Sequence, residues 1–163
     1  MRATSWLPLL TMAGCTGAAA LDDPAPDPSL ERARAVAEFL DAAGRRDHTA
    51  MASRFGTGDG PIGDTGGRVG CALRRVGSRI GLGERCLARA EVELRMDAIA
   101  LVLAHESYRV GAQRGVVGRG RSAARVTVEV VTGGRVVVVP FVVIRADDGR
   151  WLVEEVGLEG LVG

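Results

Sequence analysis

Cysteine has the most varied chemistry of any side chain in this 163-residue chain, where it occurs at Cys15, Cys71 and Cys86. A thiol can carry a lipid, form a disulfide, bind a metal or act as a nucleophile. The sequences around the three cysteines differ, and they indicate different roles. Cys15 follows an N-terminal apolar segment, whereas the other two cysteines lie near the middle of the chain.

The segment before Cys15 has the features of an export signal. Arg2 is the only charged residue before Asp22, and the apolar residues 6–14 end in two small side chains. This run is shorter than the roughly 20 residues that cross a bilayer as a helix. Residues 12–15, Met-Ala-Gly-Cys, resemble a bacterial lipobox. The resemblance implies cleavage before Cys15 and acylation of that cysteine; a plain signal peptide is the alternative.

These features divide the chain into a signal (1–14), a lipidated cysteine with a flexible tether (15–28) and a folded domain (29–163). The tether is predicted from its small residues, three prolines and three aspartates. A membrane is therefore the first expected partner, and the chain is expected in the bacterial cell envelope, periplasmic or surface-facing. Thr16, rather than aspartate, follows the cysteine and favours the outer membrane.

In an oxidising compartment, Cys71 and Cys86 are expected to form a disulfide. The bridge would close a loop of about 16 residues and stabilise the domain by roughly 3 kcal/mol. Two free thiols or a metal site are the alternatives. A metal would need further ligands, and His48 and His105 are the only histidines. We therefore expect no metal.

Composition excludes several functions. All 21 basic residues are arginines, so a Walker A lysine, a Schiff-base lysine and a pyridoxal attachment site are excluded, and no cofactor is expected. The 21 basic and 20 acidic residues nearly balance. Nucleic acid is therefore not expected as a partner, because binding a polyanion needs a basic excess.

Alanine is concentrated in the first part of the chain and valine in the last, which predicts helices followed by strands and an α+β class. Apolar spacing predicts helices at 29–44, 47–55, 69–80 and 87–104, and strands at 108–110, 125–130, 136–144 and 151–158. Ser29 and Asp47 are the expected N-caps. The pair Gly133-Gly134 predicts a tight hairpin. The strands should form a four-stranded antiparallel meander packed against the helices.

Two segments depart from this regular pattern. Residues 56–70 contain seven glycines, which predicts a loop and, together with the cysteine pair, an insertion at about 56–86 closed by the disulfide. Pro140 interrupts an otherwise apolar strand, which requires a bulge or a locally unpaired edge.

Two parts of the chain resemble the nuclear transport factor 2-like cone fold. Residues 35–43 with 46–51 are similar to its opening helices, and residues 141–144 with 148–153 to its closing hairpin. The chain thus resembles a bacterial lipoprotein that carries such a domain. The resemblance implies a curved sheet wrapped over helices, a pocket at the wide end and homodimers. The fold hosts both enzymes and binding domains, so it does not specify a function.

Acid–base catalysis in the cone would require titratable groups, and the candidates for a pocket are His105, Tyr108, Asp59 and Glu155. Each also has a structural interpretation: a helix end, a core residue, a surface loop and a solvent-facing strand position, respectively. We therefore expect a non-enzymatic domain that binds a small apolar ligand or an envelope protein. An isomerase- or cyclase-like enzyme and a structural envelope component are the alternatives.

Overall fold

The computed structural model describes residues 27–63 and 89–161. The three cysteines and the predicted helix at 69–80 lie outside this part of the chain, as does the signal segment. Within it, three helices and a four-stranded antiparallel sheet confirm the α+β class. The elements are α1 (Pro28–Gly44), α2 (His48–Arg54), β1 (Gly56–Thr57), β2 (Gly60–Pro61), α3 (Arg89–Val102), β3 (Ser107–Gly115), β4 (Ala123–Thr132), β5 (Arg135–Arg145) and β6 (Trp151–Val156).

The predicted N-cap of α1 was wrong by two residues. The side chain of Asp27 accepts a hydrogen bond of 2.8 Å from the Ser29 N–H and caps the helix. Pro28 then occupies the first turn, where its missing N–H costs nothing. This backbone hydrogen bond lowers the pKa of Asp27. The second cap is confirmed, since Asp47 accepts a hydrogen bond of 3.0 Å from the Ala50 N–H.

The four long strands pair in chain order, β3-β4-β5-β6, as predicted for a meander. The hairpin between β4 and β5 closes at the pair Thr132 and Arg135. Gly133 and Gly134 have φ values of 55° and 70°, which only glycine adopts readily and which match the twist of a two-residue hairpin. The tight hairpin is therefore confirmed.

Strand β5 is apolar on both faces, but only one face is covered by the helices. Phe141 and Val143 lie in the main core, whereas Val136 and Val138 are 64% and 58% exposed. We call the side of the sheet turned away from the helices the outer face. Alternation along β5 places these two exposed valines and Pro140 on the outer face.

Pro140 lies in β5 next to the point where the pairing of β5 with β6 ends. It pairs in register with Thr127 of β4, while the pairing with β6 ends at Phe141. On that open side the Pro140 carbonyl accepts a hydrogen bond of 2.8 Å from the Gly157 N–H. Pro140 thus lies just beyond the β5–β6 register, where a residue without an N–H interrupts no ladder bond, although its carbonyl oxygen is bonded. A register shift also occurs, but between Val142 and Val143.

The core lies between the helices and the inner face of the sheet. The ring of Phe39 is 5.9 Å from that of Phe55 and 6.4 Å from that of Phe141, centroid to centroid. Met51 and Met96 are fully buried beside them. Among the residues described, no polar or charged side chain is buried. Aromatic, aliphatic and thioether groups therefore fill this interior.

The start of the predicted insertion belongs to the packed domain. Residues 56–61 form the small antiparallel hairpin β1-β2 rather than a loop. Gly56 is required there, because a Cβ atom would lie 2.2 Å from the carbonyl oxygen of Gly60. The turn is tied to the large sheet by a hydrogen bond of 2.8 Å from the Asp147 N–H to the Gly58 carbonyl.

Candidate functional site

The four candidate pocket residues occupy three separate places. His105, between α3 and β3, and Tyr108, at the start of β3, lie together, with ring centroids 5.5 Å apart. Asp59 is exposed in the turn between β1 and β2, where its backbone N–H lies 3.3 Å from the Thr57 hydroxyl. Glu155 is exposed on β6. The structure therefore does not bring the four candidates together at one site.

Glu155 lies on the face of β6 opposite to the one that strict alternation along the strand would give it, because the pairing with β5 is irregular. Strict alternation would place it beside Trp151 and Val153, which face the core. The pairing skips one residue, so Val153 pairs with Val143 but Glu155 pairs with Val142. Because paired residues share a face, Glu155 lies on the outer face instead.

Tyr108 ties the start of β3 to the last turns of α1. Its hydroxyl donates to Asp41 Oδ1 at 2.7 Å and lies 3.3 Å from the Ala37 carbonyl oxygen. Burial, together with the hydrogen bond to Asp41 and its negative charge, raises the pKa of Tyr108 to about 12. At neutral pH the phenol is therefore a hydrogen-bond donor and not a base.

His105 has a structural position beside this contact. Its Nδ1 atom is 2.7 Å from the Leu103 carbonyl oxygen, so Nδ1 carries the hydrogen. A Cβ atom on Gly44 would lie 3.6 Å from His105 Cε1, which shows that the imidazole packs against the end of α1. The helix-end interpretation of His105 agrees with this placement.

The titration of Tyr108 can be read directly, because it is the only tyrosine in the chain. We expect its near-ultraviolet absorbance to change with a midpoint at about pH 12 in the folded protein and near pH 10 in the unfolded chain. Since the folded pKa is the higher, the stabilisation is complete below pH 10 and is lost as the pH rises through 12. Asp41→Asn should lower the midpoint only in part, because burial remains. A midpoint near pH 10 with unchanged circular dichroism would contradict the contact.

A different set of polar side chains converges on an open groove of about 550 Å³. The groove lies between α1, the end of α2 and the turn joining β5 to β6, with Trp151 at its side. Its charged lining residues are Arg34, Arg54, Arg145, Arg150, Glu31, Glu38 and Asp148. We call this site the arginine groove. Sequence analysis missed it because the charges come from three distant segments.

The carboxylates of the arginine groove all have donors from the protein. Glu38 is held between Arg34 and Arg54, at N···O distances of 2.7 Å and 2.6 Å. Asp148 accepts hydrogen bonds from the side chain and the backbone N–H of Arg150, and these lower the pKa of Asp148. Glu31 accepts a bond of 3.2 Å from the Trp151 indole.

Neither histidine lies in a metal-binding cluster within the ranges 27–63 and 89–161. His48 Nε2 is 3.2 Å from Asp97 Oδ1, which brings α2 close to α3. A smaller groove of about 280 Å³ lies beside His48. Its lining includes Gly63 and Arg89, the two residues that flank the undescribed segment 64–88, so we assign no site there.

Comparisons with family models, curated proteins and solved structures each found no match. None of the helices described in the structure is long and apolar enough to cross a membrane.

Proposed function

We propose that the mature chain is a lipid-anchored protein of the bacterial cell envelope. Its folded domain binds a ligand or a partner protein at its surface and does not catalyse a reaction in its interior. The anchor is the acylated Cys15, and the tether that follows it, to about residue 28, lets the domain stand away from the membrane. The outer membrane is the expected site.

One observation supports binding at the surface over catalysis in the interior. The acid–base candidates are dispersed, with Glu155 on the outer face, Asp59 in an exposed turn and Tyr108 held protonated by burial and Asp41. Apolar side chains packed around Phe39 occupy the space between the helices and the sheet. The charged groups that do converge are those of the arginine groove on the surface.

We further propose that the domain is a cone-like member of the nuclear transport factor 2-like class, able to form homodimers. The order of the helices and the four-stranded meander, with the helices on one face of the sheet, agrees with that class. Residues 64–86 complete the insertion, closed by a disulfide between Cys71 and Cys86. Non-reducing peptide mapping that found both thiols free would contradict this disulfide.

Metabolic labelling with a fatty acid in a bacterial host tests the anchor. We expect the wild-type chain to carry the label and to sediment with membranes, because several acyl chains give durable attachment. Cys15→Ser should lose both the label and the sedimentation. Cys71→Ser is the matched control, since it also removes one thiol but should leave the label in place.

The outcomes distinguish a lipid anchor from a plain signal peptide. A wild-type protein without label that is recovered as soluble material would indicate a plain signal peptide and overturn the lipid anchor. The surface-binding role of the folded domain would be unaffected by that result, because the arginine groove is built from residues beyond the tether.

A further inference from the structure

We propose that the arginine groove binds an oxyanion, the phosphate or carboxylate group of a small ligand. This inference rests on the proposed surface-binding function and adds to it the class of ligand. The groove is large enough for a small molecule, with a volume of about 550 Å³, which lies within the usual range of ligand sites.

The charge of the groove favours an anion. Four guanidinium groups line it against three carboxylates, which leaves one positive charge. All three carboxylates already accept hydrogen bonds from arginine or indole donors. Guanidinium N–H groups match the geometry of carboxylate and phosphate oxygens, so the excess of arginines suits an oxyanion.

Arg145 is the residue to which we assign direct contact with the oxyanion. It is exposed at the end of β5, and its Nε atom donates to the Gly149 carbonyl at 3.3 Å. It has no carboxylate partner in the described part of the chain, unlike Arg34, Arg54 and Arg150. The bond through Nε leaves the two terminal nitrogens of Arg145 as a fork of donors.

Trp151 lines the arginine groove, and its fluorescence can report binding there. Its indole N–H bonds to Glu31, and the guanidinium of Arg32 lies 5.2 Å from its ring centroid. The chain has two tryptophans, Trp6 and Trp151, and Trp6 is in the signal segment. In a chain of residues 15–163, tryptophan fluorescence therefore comes from Trp151 alone.

The test titrates inorganic phosphate, and in a second arm acetate, into residues 15–163 carrying Cys15→Ser, with chloride at matched ionic strength as the reference. This chain contains every residue that the structure describes. We expect a saturable change in Trp151 fluorescence with at least one oxyanion and not with chloride. The stronger response identifies whether phosphate or carboxylate is preferred.

Two variants locate the binding. Arg145→Gln should weaken the response by about tenfold or more, because it removes a charge-assisted contact. Arg114→Gln is the matched control, since Arg114 is also exposed but lies on β3; it should leave the response unchanged. Identical curves for phosphate, acetate and chloride would overturn the oxyanion site, as would equal affinities of Arg145→Gln and wild type. Neither result depends on acylation, so the lipid anchor would stand.

Discussion

Replacing Phe39 with alanine should lower the free energy of unfolding by about 3–5 kcal/mol. Phe39 is fully buried on α1, and its ring touches Phe55 after α2 and Phe141 on β5. The substitution removes contacts among three elements at once and leaves a cavity that the rigid sheet cannot fill. The midpoint of denaturant unfolding, followed by circular dichroism, measures the effect.

Leu30→Ala is the control for this substitution. Leu30 lies on the same helix but is 68% exposed, so its replacement should change the free energy of unfolding by less than about 0.5 kcal/mol. Equal losses in the two variants would mean that Phe39 is not at the centre of the core.

The two faces of the sheet should respond very differently to one and the same substitution. Val128 on β4 is fully buried beneath the helices, whereas Val138 on β5 is 58% exposed on the outer face. Val128→Asn should cost about 3–5 kcal/mol, because it loses apolar burial and places an amide where it has no partner. Val138→Asn should cost less than about 1 kcal/mol, which reflects strand propensity alone.

This pair of variants carries its own control, since both remove a valine from a central strand. Chemical denaturation of the two proteins under identical conditions gives the comparison. Similar costs would show that the outer face is covered and would contradict its assignment as exposed. A small loss of stability in Val128→Asn would mean that the helices do not cover the face of the sheet that carries Val128.

Local chemistry made several features predictable. The cap at Asp47 and the hairpin at Gly133-Gly134 depend on residues within one turn of each other, so their signals are contained in short segments. The cap of α1 was misplaced because Asp27 and Ser29 are both good caps, and the proline between them decides in favour of Asp27.

Features that depend on a partner strand were not predictable. The switch of Glu155 to the outer face follows from its pairing with β5, and nothing in β6 alone reveals it. Similarly, β5 is apolar throughout, so its own sequence cannot indicate which of its faces is buried. The helices pack against the face of β5 that carries Phe141, and they leave Val136 and Val138 exposed on the other face.

The candidate site shows the same division. The sequence placed His105 and Tyr108 close together because they are neighbours in the chain. It contained no signal for the bond between Tyr108 and Asp41, which are separated by 67 positions. The sequence likewise contained no signal for the arginine groove, since Arg34, Arg54 and Arg145 come from α1, α2 and β5.

The sequence by itself determined the α+β class, the order of the elements and the absence of lysine chemistry. These follow from composition and from short-range periodicity. Only the tertiary structure decided which face of the sheet is covered, which acid–base candidates are separated and where charged side chains converge. The physical reason is that burial and electrostatic fields depend on distances in space, and chain folding brings together residues that no local pattern connects.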